Sequence, residues 1–537
     1  MKKEWIVASI CVLGVLILGM TFRLGVLASS LLQPQSLLEA QASMPTGFTY
    51  QGQLKLDGKS VNGACTMAFR LFDADTGGTQ IGSAITRTVV ITEGLFTETL
   101  DFGGEEGVFN GDARWLDIRV QCEGEPSFVE LGRQAITAVP YAFYAQRTQG
   151  YANLVIVAKS DGDYTSIQAA VDSIDAATAD HPYLIWVAPG VYSETVVLKP
   201  YVHLQGAGQG ATIITSTVSG DSPVTIATVV LTDHVSVRDL TVVNTGILTN
   251  NVALLANNGT TATLISDVTA QTLGGGMDAD YNSTIYVTGD GTGVTLLNIT
   301  SLAANGKTNR GLLCTGGGTA YVQGGTFVGR GGNATLGIQA SSENTILEVE
   351  NVTALGENSS NLNYGLYAGY AATATLKGGT FTARGGSVAY GIYNGGFVGA
   401  ALYVENVSAL AENGSNTNAG LETGATTTVH GGTFTGRGGS YAYGVSNSGG
   451  AARLKASGIV AVAEDGSVRS AGFYSESTAQ TWIEHARIVG SGNALRLQSS
   501  TLYLAVSELD GGVYNSSSAL TCFQVYDSYY NAHTCNP

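Results

Sequence analysis

Three aspartates lie close together near the middle of the chain, at Asp278, Asp280 and Asp290. Two carboxylates that face one groove in different protonation states can serve as nucleophile and general acid in ester hydrolysis. Glycines surround all three positions, in GGGMDADYN (274–282) and GDGTG (289–293). This setting is typical of solvated turns. The sequence therefore predicts turn residues here, which stay candidates for catalysis only if the fold brings two of them together.

Arginine and glutamate alternate along the second half of the chain with a nearly constant spacing. The series is Arg330, Glu357, Arg384, Glu412, Arg437 and Glu464, with steps of 25 to 28 residues. If each step is one turn of a repeating structure, opposite charges lie one rung apart and stabilise its register. Both residue types also bind sugar hydroxyls. The series is thus interpreted as a structural ladder, with a sugar-binding stripe as the alternative.

The elements that would position these residues follow from a repeat of about 27 residues. Its turn position is occupied only by Asp, Asn or Gly, the residues that best tolerate a left-handed backbone. The flanking segments alternate apolar and polar residues, as in LEVENVTAL (347–355). This pattern predicts an all-β fold, a right-handed single-stranded parallel β-helix of about eleven coils. The predicted turn residues are Asp239, Asp267, Asn298, Gly325, Asn351, Gly379, Asn406, Gly432 and Gly458.

Both ends of the β-helix, expected over residues 151–510, require cover. DYTSIQAAVDSIDAA (163–177) has its apolar residues on one helical face, and Thr165 and Gln168 have the spacing of a capping box. We expect this helix to cap the first coil. The aromatic-rich end of the chain predicts a C-terminal cap over residues 511–537, closed by a disulfide.

A separate domain is predicted over residues 45–146. Short alternating strands such as CTMAFRLFD (65–73) and RWLDIRVQC (114–122), divided by glycine-rich turns, predict a small β-sandwich. An oxidising compartment would pair Cys65 with Cys122 and Cys522 with Cys535. Cys314 remains, and it is interpreted as a buried structural thiol.

Residues 1–42 are expected to direct export. Lys2 and Lys3 precede an apolar run, and Ala40-Gln41-Ala42 has the pattern of a signal-peptidase site. The segment is either cleaved or kept as an anchor. The sequence therefore predicts a secreted or cell-surface protein that contacts a membrane only through this segment.

Composition narrows the partners further. The chain has 25 basic and 42 acidic residues, a net charge of −17. Nucleic acid is therefore excluded as a partner, because phosphate binding requires a basic surface. The six histidines lack metal-ligand spacing, so no metal and no cofactor is expected.

The segments SDGDYTSIQAAVDSI (160–174), YLIWVAPGVYSETVVLKPYVHLQGAGQGATII (183–214) and VSVRDLTVVNT (235–245) resemble the entry coils of pectin methylesterases, within the pectin-lyase-like superfamily. The resemblance implies a β-helix and metal-independent hydrolysis of methylated galacturonan by two aspartates, assisted by glutamines and an arginine. Here Gln271-Thr272-Leu273 stands where that family has Gln-Asp-Thr-Leu. The family motifs Asp-Phe-Ile-Phe-Gly and Gly-Arg-Pro-Trp are missing. The catalytic motifs are therefore degenerate.

The first domain carries a second resemblance. FTYQGQLKLDGKSV (48–61), GLFTETLDFG (94–103) and RQAITAVPYAFYA (133–145) resemble a module of bacterial exported and phage fibre-like proteins. This resemblance implies display or attachment and suggests a homotrimer.

These features predict an exported cell-surface protein that binds extracellular polysaccharide, such as a pectin-like polymer, or has a structural or adhesive role. The alternative is an active carbohydrate esterase of the pectin methylesterase type, or a polysaccharide lyase. Exposed aromatic rings in a row would favour binding, because the faces of sugars stack on flat apolar rings.

Overall fold

The computed structural model describes residues 5–8, 48–56, 58–102, 108, 114–136, 153–275, 280–395, 399–450, 452–529 and 531–532. The chain divides into two compact units, Met1–Gln149 and Gly150–Pro537. Apart from residues 5–8, the predicted export segment lies outside this description. Among the helices that the structure describes, none has the length and apolarity needed to cross a membrane.

The first unit consists of two antiparallel four-stranded sheets that share one core. Its strands, β1 to β8, are Trp5–Ala8, Phe48–Leu56, Lys59–Ser60, Gly63–Phe72, Gln80–Ile91, Leu95–Leu100, Arg114–Cys122 and Val129–Ile136. One sheet joins β1, β2, β3 and β6, and the other has the order β5-β4-β7-β8. Alternate residues of β4, such as Met67 and Phe69, are buried, as expected for a strand with one face in a core. The predicted small sandwich-like domain is thus observed.

The predicted disulfide between Cys65 and Cys122 is confirmed. The two cysteines lie directly opposite each other on β4 and β7. Cys522 is also disulfide-bonded, but its predicted partner Cys535 lies outside the described residues. Cys314 is a buried free thiol, and burial raises its pKa to about 12, consistent with its interpretation as a structural residue.

The second unit is a parallel β-solenoid of about 12 turns, close to the number predicted from the repeat. Strand β9, Asn153–Val157, begins the stack, and helix α1, Ile167–Asp172, follows as the one helix that the described part of the chain contains. Strands β10 to β23 are Tyr183–Val187, Gly190–Ser193, Val196–Val197, Val202–Gly206, Thr212–Ser216, Val229–Val230, Ser236–Asn244, Asn250–Ala256, Thr263–Thr272, Tyr281–Thr288, Gly293–Ala304, Thr308–Thr315, Thr319–Arg330 and Ala334–Ser341.

From β24 to β38 each coil has three short strands, whereas in the last coils β40 and β41 are longer and continue over more than one face. Strands β24 to β42 are Ile346–Glu350, Thr353–Glu357, Leu362–Gly369, Thr373–Lys377, Thr380–Arg384, Val388–Asn394, Ala401–Glu405, Ser408–Glu412, Thr417–Thr423, Thr426–His430, Thr433–Arg437, Tyr441–Asn447, Arg453–Ser457, Val460–Glu464, Arg469–Glu476, Gln480–Glu484, Arg487–Gln498, Thr501–Ser516 and Ala519–Asp527. We name the three sheets by their strands in the coil β24–β26: the first face contains β24, the second β25 and the third β26.

One residue in each coil, at the corner between the first and second faces, has a left-handed backbone with φ between 45° and 72°. The column is Asp239, Asp267, Asn298, Gly324, Asn351, Gly378, Asn406, Gly431, Gly458, His485, Val506 and Gln524. The predicted turn position is therefore confirmed in six of its nine members. At the three glycine pairs the prediction chose the second glycine instead of the first. Both glycines of each pair have positive φ, so residue type could not distinguish them.

Helix α1 is shorter than the predicted segment, but its apolar face is as expected, with Ile167, Ala170 and Val171 buried in the solenoid core. The predicted capping box is wrong. The N-cap is Ser166, whose Oγ accepts a hydrogen bond from Ala169 N. The carboxylate of Glu194, from a later coil, accepts hydrogen bonds from the backbone N–H of Ile167 and Gln168 and thereby satisfies free donors of the first turn. The role of the helix as a cap stays a prediction.

The parallel stack extends past residue 510, where the sequence analysis ended it. Strand β42 pairs in parallel with β41 from Thr501↔Ala519 to Leu509↔Asp527. Residues 511–527 therefore continue the solenoid and do not form a separate cap. The repeat shortens here, with 21 residues from His485 to Val506 and 18 from Val506 to Gln524, so the 27-residue period does not reveal these coils.

Candidate functional site

Of the four candidate catalytic residues, Gln271, Asp280 and Asp290 lie in the part of the chain that the structure describes. Gln271 lies on β18, on the second face, and its register partners one coil before and one coil after are Val243 and Leu302. Aliphatic side chains therefore flank the glutamine on both sides along the stack. A nucleophilic carboxylate would have to reach it from another element.

Asp280 and Asp290 lie at opposite ends of strand β19, which has eight residues. At a rise of about 3.3 Å per residue, roughly 23 Å separates these ends. The carboxylate of Asp280 forms an ion pair with the ammonium of Lys307 on the next coil. Asp290 is exposed in a glycine-rich turn, as the sequence predicts. Asp280 and Asp290 therefore do not form a catalytic pair, and Asp278 lies outside the described residues.

The Arg–Glu series lies at one position of successive coils, as predicted: Arg330↔Glu357, Glu357↔Arg384, Arg384↔Glu412, Glu412↔Arg437 and Arg437↔Glu464 are all register pairs. Arg330 lies 2.6 Å from Glu357 and Arg437 lies 2.7 Å from Glu464. Glu412 lies 2.8 Å from Arg384 and 3.7 Å from Arg437. Among the described ion pairs, none links Glu357 to Arg384. The charges therefore form one isolated pair and one chain of four.

The third face contains a group of side chains that the sequence analysis did not select. On this face, outward residues of five successive coils are tyrosine, alanine, glutamate or serine. We call the group formed by Tyr364, Tyr367, Tyr370, Tyr390, Tyr393, Tyr443, Tyr474 and Glu422 the tyrosine face. Register places Tyr367, Tyr393 and Glu422 in one column, with Ser446 and Tyr474 continuing it. Neighbouring members of the column are about 4.8 Å apart along the axis.

The rings of the tyrosine face contact one another closely. Tyr367 and Tyr393 stack with centroids 5.2 Å apart, and Tyr390 and Tyr393 stack at 5.3 Å. Farther along, Tyr443 and Tyr474 stack at 4.8 Å. Tyr370 continues the group at the end of β26 and is 52% exposed. The result is a rigid aromatic surface whose outer rim, at Tyr370, Tyr367 and Tyr393, contacts solvent.

Glu422 interrupts this aromatic surface with a buried carboxyl group that is only 8% exposed. Ser448 Oγ donates a hydrogen bond to Glu422 Oε1 at 2.5 Å. No ion pair of Glu422 occurs among the described residues. Burial raises its pKa to about 7, although hydrogen bonds from Ser448 and Ser446 oppose the shift. An acid with a strongly perturbed pKa on an aromatic surface is a candidate for function.

A second polar cluster borders this carboxyl group. The Tyr474 hydroxyl donates to Gln498 Oε1 at 2.8 Å and also contacts Glu476. The Arg469 guanidinium lies over the Tyr474 ring, 5.3 Å from its centroid, and donates to the Tyr443 hydroxyl at 3.4 Å. These groups hold both rings in place and add donors and acceptors beside them.

The sequence does contain a signal for the tyrosine face. The tetrapeptides YGLY (364–367), YGIY (390–393), AGLE (419–422), YGVS (443–446) and AGFY (471–474) recur at intervals of 24 to 29 residues. The glycine of each is held between backbone atoms of adjacent coils. An added Cβ at Gly391, for example, would lie 2.7 Å from Gly420 O. The period is the coil length, so the flanking tyrosines necessarily stack.

Two family models match this chain. Residues 153–272 match the pectinesterase model, and residues 49–134 match a model described as a domain of unknown function (DUF8740). A curated relative, probable pectinesterase 67 of Arabidopsis thaliana, is 32% identical over 79 residues, which are 14% of this chain and 23% of that protein. The chain thus aligns with about a quarter of that relative's length. Neither family model reaches the tyrosine face.

Solved structures of similar fold include a pectin methylesterase from carrot, with 12% identity, a TM-score of 0.22 and coverage of 71% of this chain and 84% of the other. An Azotobacter vinelandii mannuronan C-5 epimerase A-module has 17% identity, a TM-score of 0.33 and coverage of 67% and 94%. The entry coils of the solenoid, residues 153–272, are similar to pectinesterases.

Proposed function

We propose that the solenoid binds extracellular polysaccharide on its third face and does not hydrolyse esters there. The observation that carries this proposal is the stacked pair Tyr367–Tyr393 in one column with the buried carboxyl of Glu422. Sugar-binding surfaces combine aromatic rings with a few fixed polar groups. Tyrosine rings contact the apolar face of a pyranose, and the hydroxyl groups of Tyr367, Tyr370 and Tyr393 at the solvent-facing rim supply partners for its hydroxyls.

The second candidate function is ester hydrolysis, which the pectinesterase match over residues 153–272 favours. The described residues argue against it. Gln271 has aliphatic neighbours in its register, and the length of β19 separates Asp280 from Asp290. Acid–base catalysis requires groups within hydrogen-bond reach of one substrate atom. The positions of Gln271, Asp280 and Asp290 support a polysaccharide lyase no better than they support an esterase.

We further propose that the protein acts outside the cell. The sequence of residues 1–42 supports export, and the first unit would attach or display the solenoid. A pectin-like polymer is the first ligand to test, because residues 153–272 match the pectinesterase model. The Arg–Glu series is proposed to stabilise the coil register, since its arginines already contact glutamates.

The test uses the full chain with methyl-esterified pectin. We expect retention of the protein on immobilised pectin, at least tenfold weaker for Tyr367→Ala and for Tyr393→Ala. Tyr321→Ala, which removes an exposed ring on the first face, is the control and should bind as the wild type does. Methanol release from pectin should equal that of buffer. Release that Asp278→Ala or Asp290→Ala abolishes would instead establish the esterase.

A further inference from the structure

A second surface with binding features lies on the first face, near the C-terminal end of the stack. A groove of about 1010 Å³ is lined by Arg453, Lys455, Trp482, Glu484, Tyr503 and Phe523, among others. We call it the aromatic groove. Register places Lys455, Trp482 and Tyr503 at one position of three successive coils. The groove and the tyrosine face therefore lie on different sheets of the solenoid.

The rings of the aromatic groove present apolar area to solvent. Trp482 and Tyr503 are nearly parallel, with 7° between their planes and 5.7 Å between their centroids. Tyr503 is 44% exposed and Phe523, in the next coil, is 65% exposed. Large exposed rings gathered in one concavity are unusual for a surface that only meets water, and they typically mark an interaction site.

The charge of the groove differs from that of the whole chain. The chain has a net charge of −17 and only 25 basic residues, yet Arg453 and Lys455 both line this groove and are exposed. In the part of the chain that the structure describes, neither forms an ion pair, whereas Arg330, Arg384 and Arg437 all do. The Lys455 ammonium lies 5.9 Å from the Trp482 ring centroid, so it can bind an anion at the edge of the rings.

We propose that the aromatic groove is a second polysaccharide-binding site, separate from the tyrosine face, and that it takes a chain with carboxylate or sulfate groups. The rings of Trp482 and Tyr503 contact the apolar faces of the sugars. Lys455 and Arg453 pair with the anionic groups, and Glu484 accepts hydrogen bonds from sugar hydroxyls. With sites on two faces, one molecule would bridge two polysaccharide chains. The bridging of two chains rests on the proposed function, because it requires the third-face site as well. Binding in the aromatic groove does not depend on that site.

The experiment measures retardation of the full chain in native gels that contain polygalacturonate, dextran sulfate or neutral dextran. We expect the protein to be retarded by at least one of the two anionic polymers and only slightly by neutral dextran. Trp482→Ala should weaken binding at least tenfold. Lys455→Glu should weaken it similarly, and the residual binding should depend less on salt. Lys377→Glu makes the same change of charge on the same face but outside the groove, and it is the matched control. Comparison of polygalacturonate with dextran sulfate shows whether the groove binds carboxylate or sulfate groups.

The outcomes are distinct for the two sites. Binding lost in Trp482→Ala but kept in Tyr367→Ala supports the groove and contradicts the proposed third-face site for that polymer. The reverse result overturns the groove. Equal retardation by neutral dextran overturns its anionic specificity, and equal binding of single-stranded DNA would show a general polyanion site instead. A dimer that Trp482→Ala dissociates would mean that a second copy fills the groove. If Trp482→Ala fails to fold, Lys455→Glu still tests the groove, because Lys455 is exposed and its substitution should not disturb the fold.

Discussion

The side chain of Asn418 is bonded in both directions to the backbone of Gly414 inside the solenoid. Gly414 N donates to Asn418 Oδ1 at 2.9 Å, and Asn418 Nδ2 donates to Gly414 O at 2.8 Å. Nδ2 also donates to Gly438 O, one coil later, at 3.0 Å. Asn418 belongs to a column of buried positions that register aligns through successive coils, which we call the inward column. Buried asparagines recur in it at Asn251, Asn282, Asn309, Asn363 and Asn418. As at Asn418, their side-chain hydrogen bonds stabilise the local turn and connect it to the next coil.

We expect Asn418→Ala to lower the free energy of unfolding by about 2–4 kcal/mol, because it removes the hydrogen bonds to the buried backbone of Gly414 and to the half-buried carbonyl of Gly438. Chemical denaturation followed by circular dichroism measures the change. Asn361→Ala, at an exposed position nearby, is the control and should stay within about 0.5 kcal/mol of the wild type. A shift for Asn418→Ala as small as the control's would contradict the role assigned to this column.

The Arg–Glu series leads to a second prediction. Arg384→Glu would remove the 2.8 Å pair with Glu412 and place a carboxylate between Glu357 and Glu412. We expect a loss of about 1–2 kcal/mol in unfolding free energy, which shrinks in 1 M salt because the charges are partly exposed. Thermal melting at low and high salt measures it.

The matched control for this prediction is Arg453→Glu, with the same charge change at an exposed arginine outside the described ion pairs. It should leave the melting temperature nearly unchanged. If Arg384→Glu also leaves melting unchanged, the structural role is wrong, and the alternative of a sugar-binding stripe gains support.

The sequence predicts the outer corner of the solenoid better than its interior. The corner needs a left-handed residue in every coil, so Asp, Asn and Gly recur there from Asp239 to Gly458, whereas His485, Val506 and Gln524 occupy it in the last three coils. The inward asparagine column is interrupted by Thr335 and Ala389, because other groups can fill that position in some coils. An interrupted column gives no periodic signal, and the sequence analysis therefore missed it.

The candidate site was harder to predict for a different reason. Asp280 and Asp290 are close in sequence, but a strand of eight residues places them at opposite corners. Tyr364 and Tyr390 are far apart in sequence, as are Tyr443 and Tyr474, but coil stacking makes the rings of each pair neighbours. Proximity in a solenoid depends on position within the coil and not on separation along the chain. The repeat length was predictable, but the side-chain contacts required the exact register.

The disulfide of the first unit leads to a third prediction. Cys65 and Cys122 close a loop with a sequence separation of 57, and a crosslink of this span stabilises by about 2–4 kcal/mol, chiefly through the unfolded state. Replacement of both cysteines by alanine should lower the melting temperature of the first unit and leave that of the solenoid unchanged. Calorimetry of the full chain measures both transitions. Cys314→Ala is the control for loss of a buried thiol, and it should affect only the solenoid.

Glu422 leads to a prediction about pH. Burial raises the pKa of its carboxyl group from 4.5 to about 7. Tyr390, Tyr393, Tyr443 and Glu476 are the ionisable groups that interact with it. Below pH 4.5 the group is protonated in the folded and the unfolded chain, so its contribution to stability is complete. As the pH rises towards 7, only the unfolded chain ionises, and this contribution is lost, up to about 3 kcal/mol.

The substitution Glu422→Gln removes this dependence, because an amide keeps the shape and stays neutral. We expect the variant and the wild type to be about equally stable at pH 4, and the variant to be more stable at pH 8. Denaturant unfolding at several pH values measures the difference, and all other carboxylates cancel in the comparison. Parallel curves for the two proteins would mean that Glu422 ionises as readily in the folded chain as in water. The group would then be hydrated, and the uncompensated acid on the tyrosine face would no longer support a binding site there.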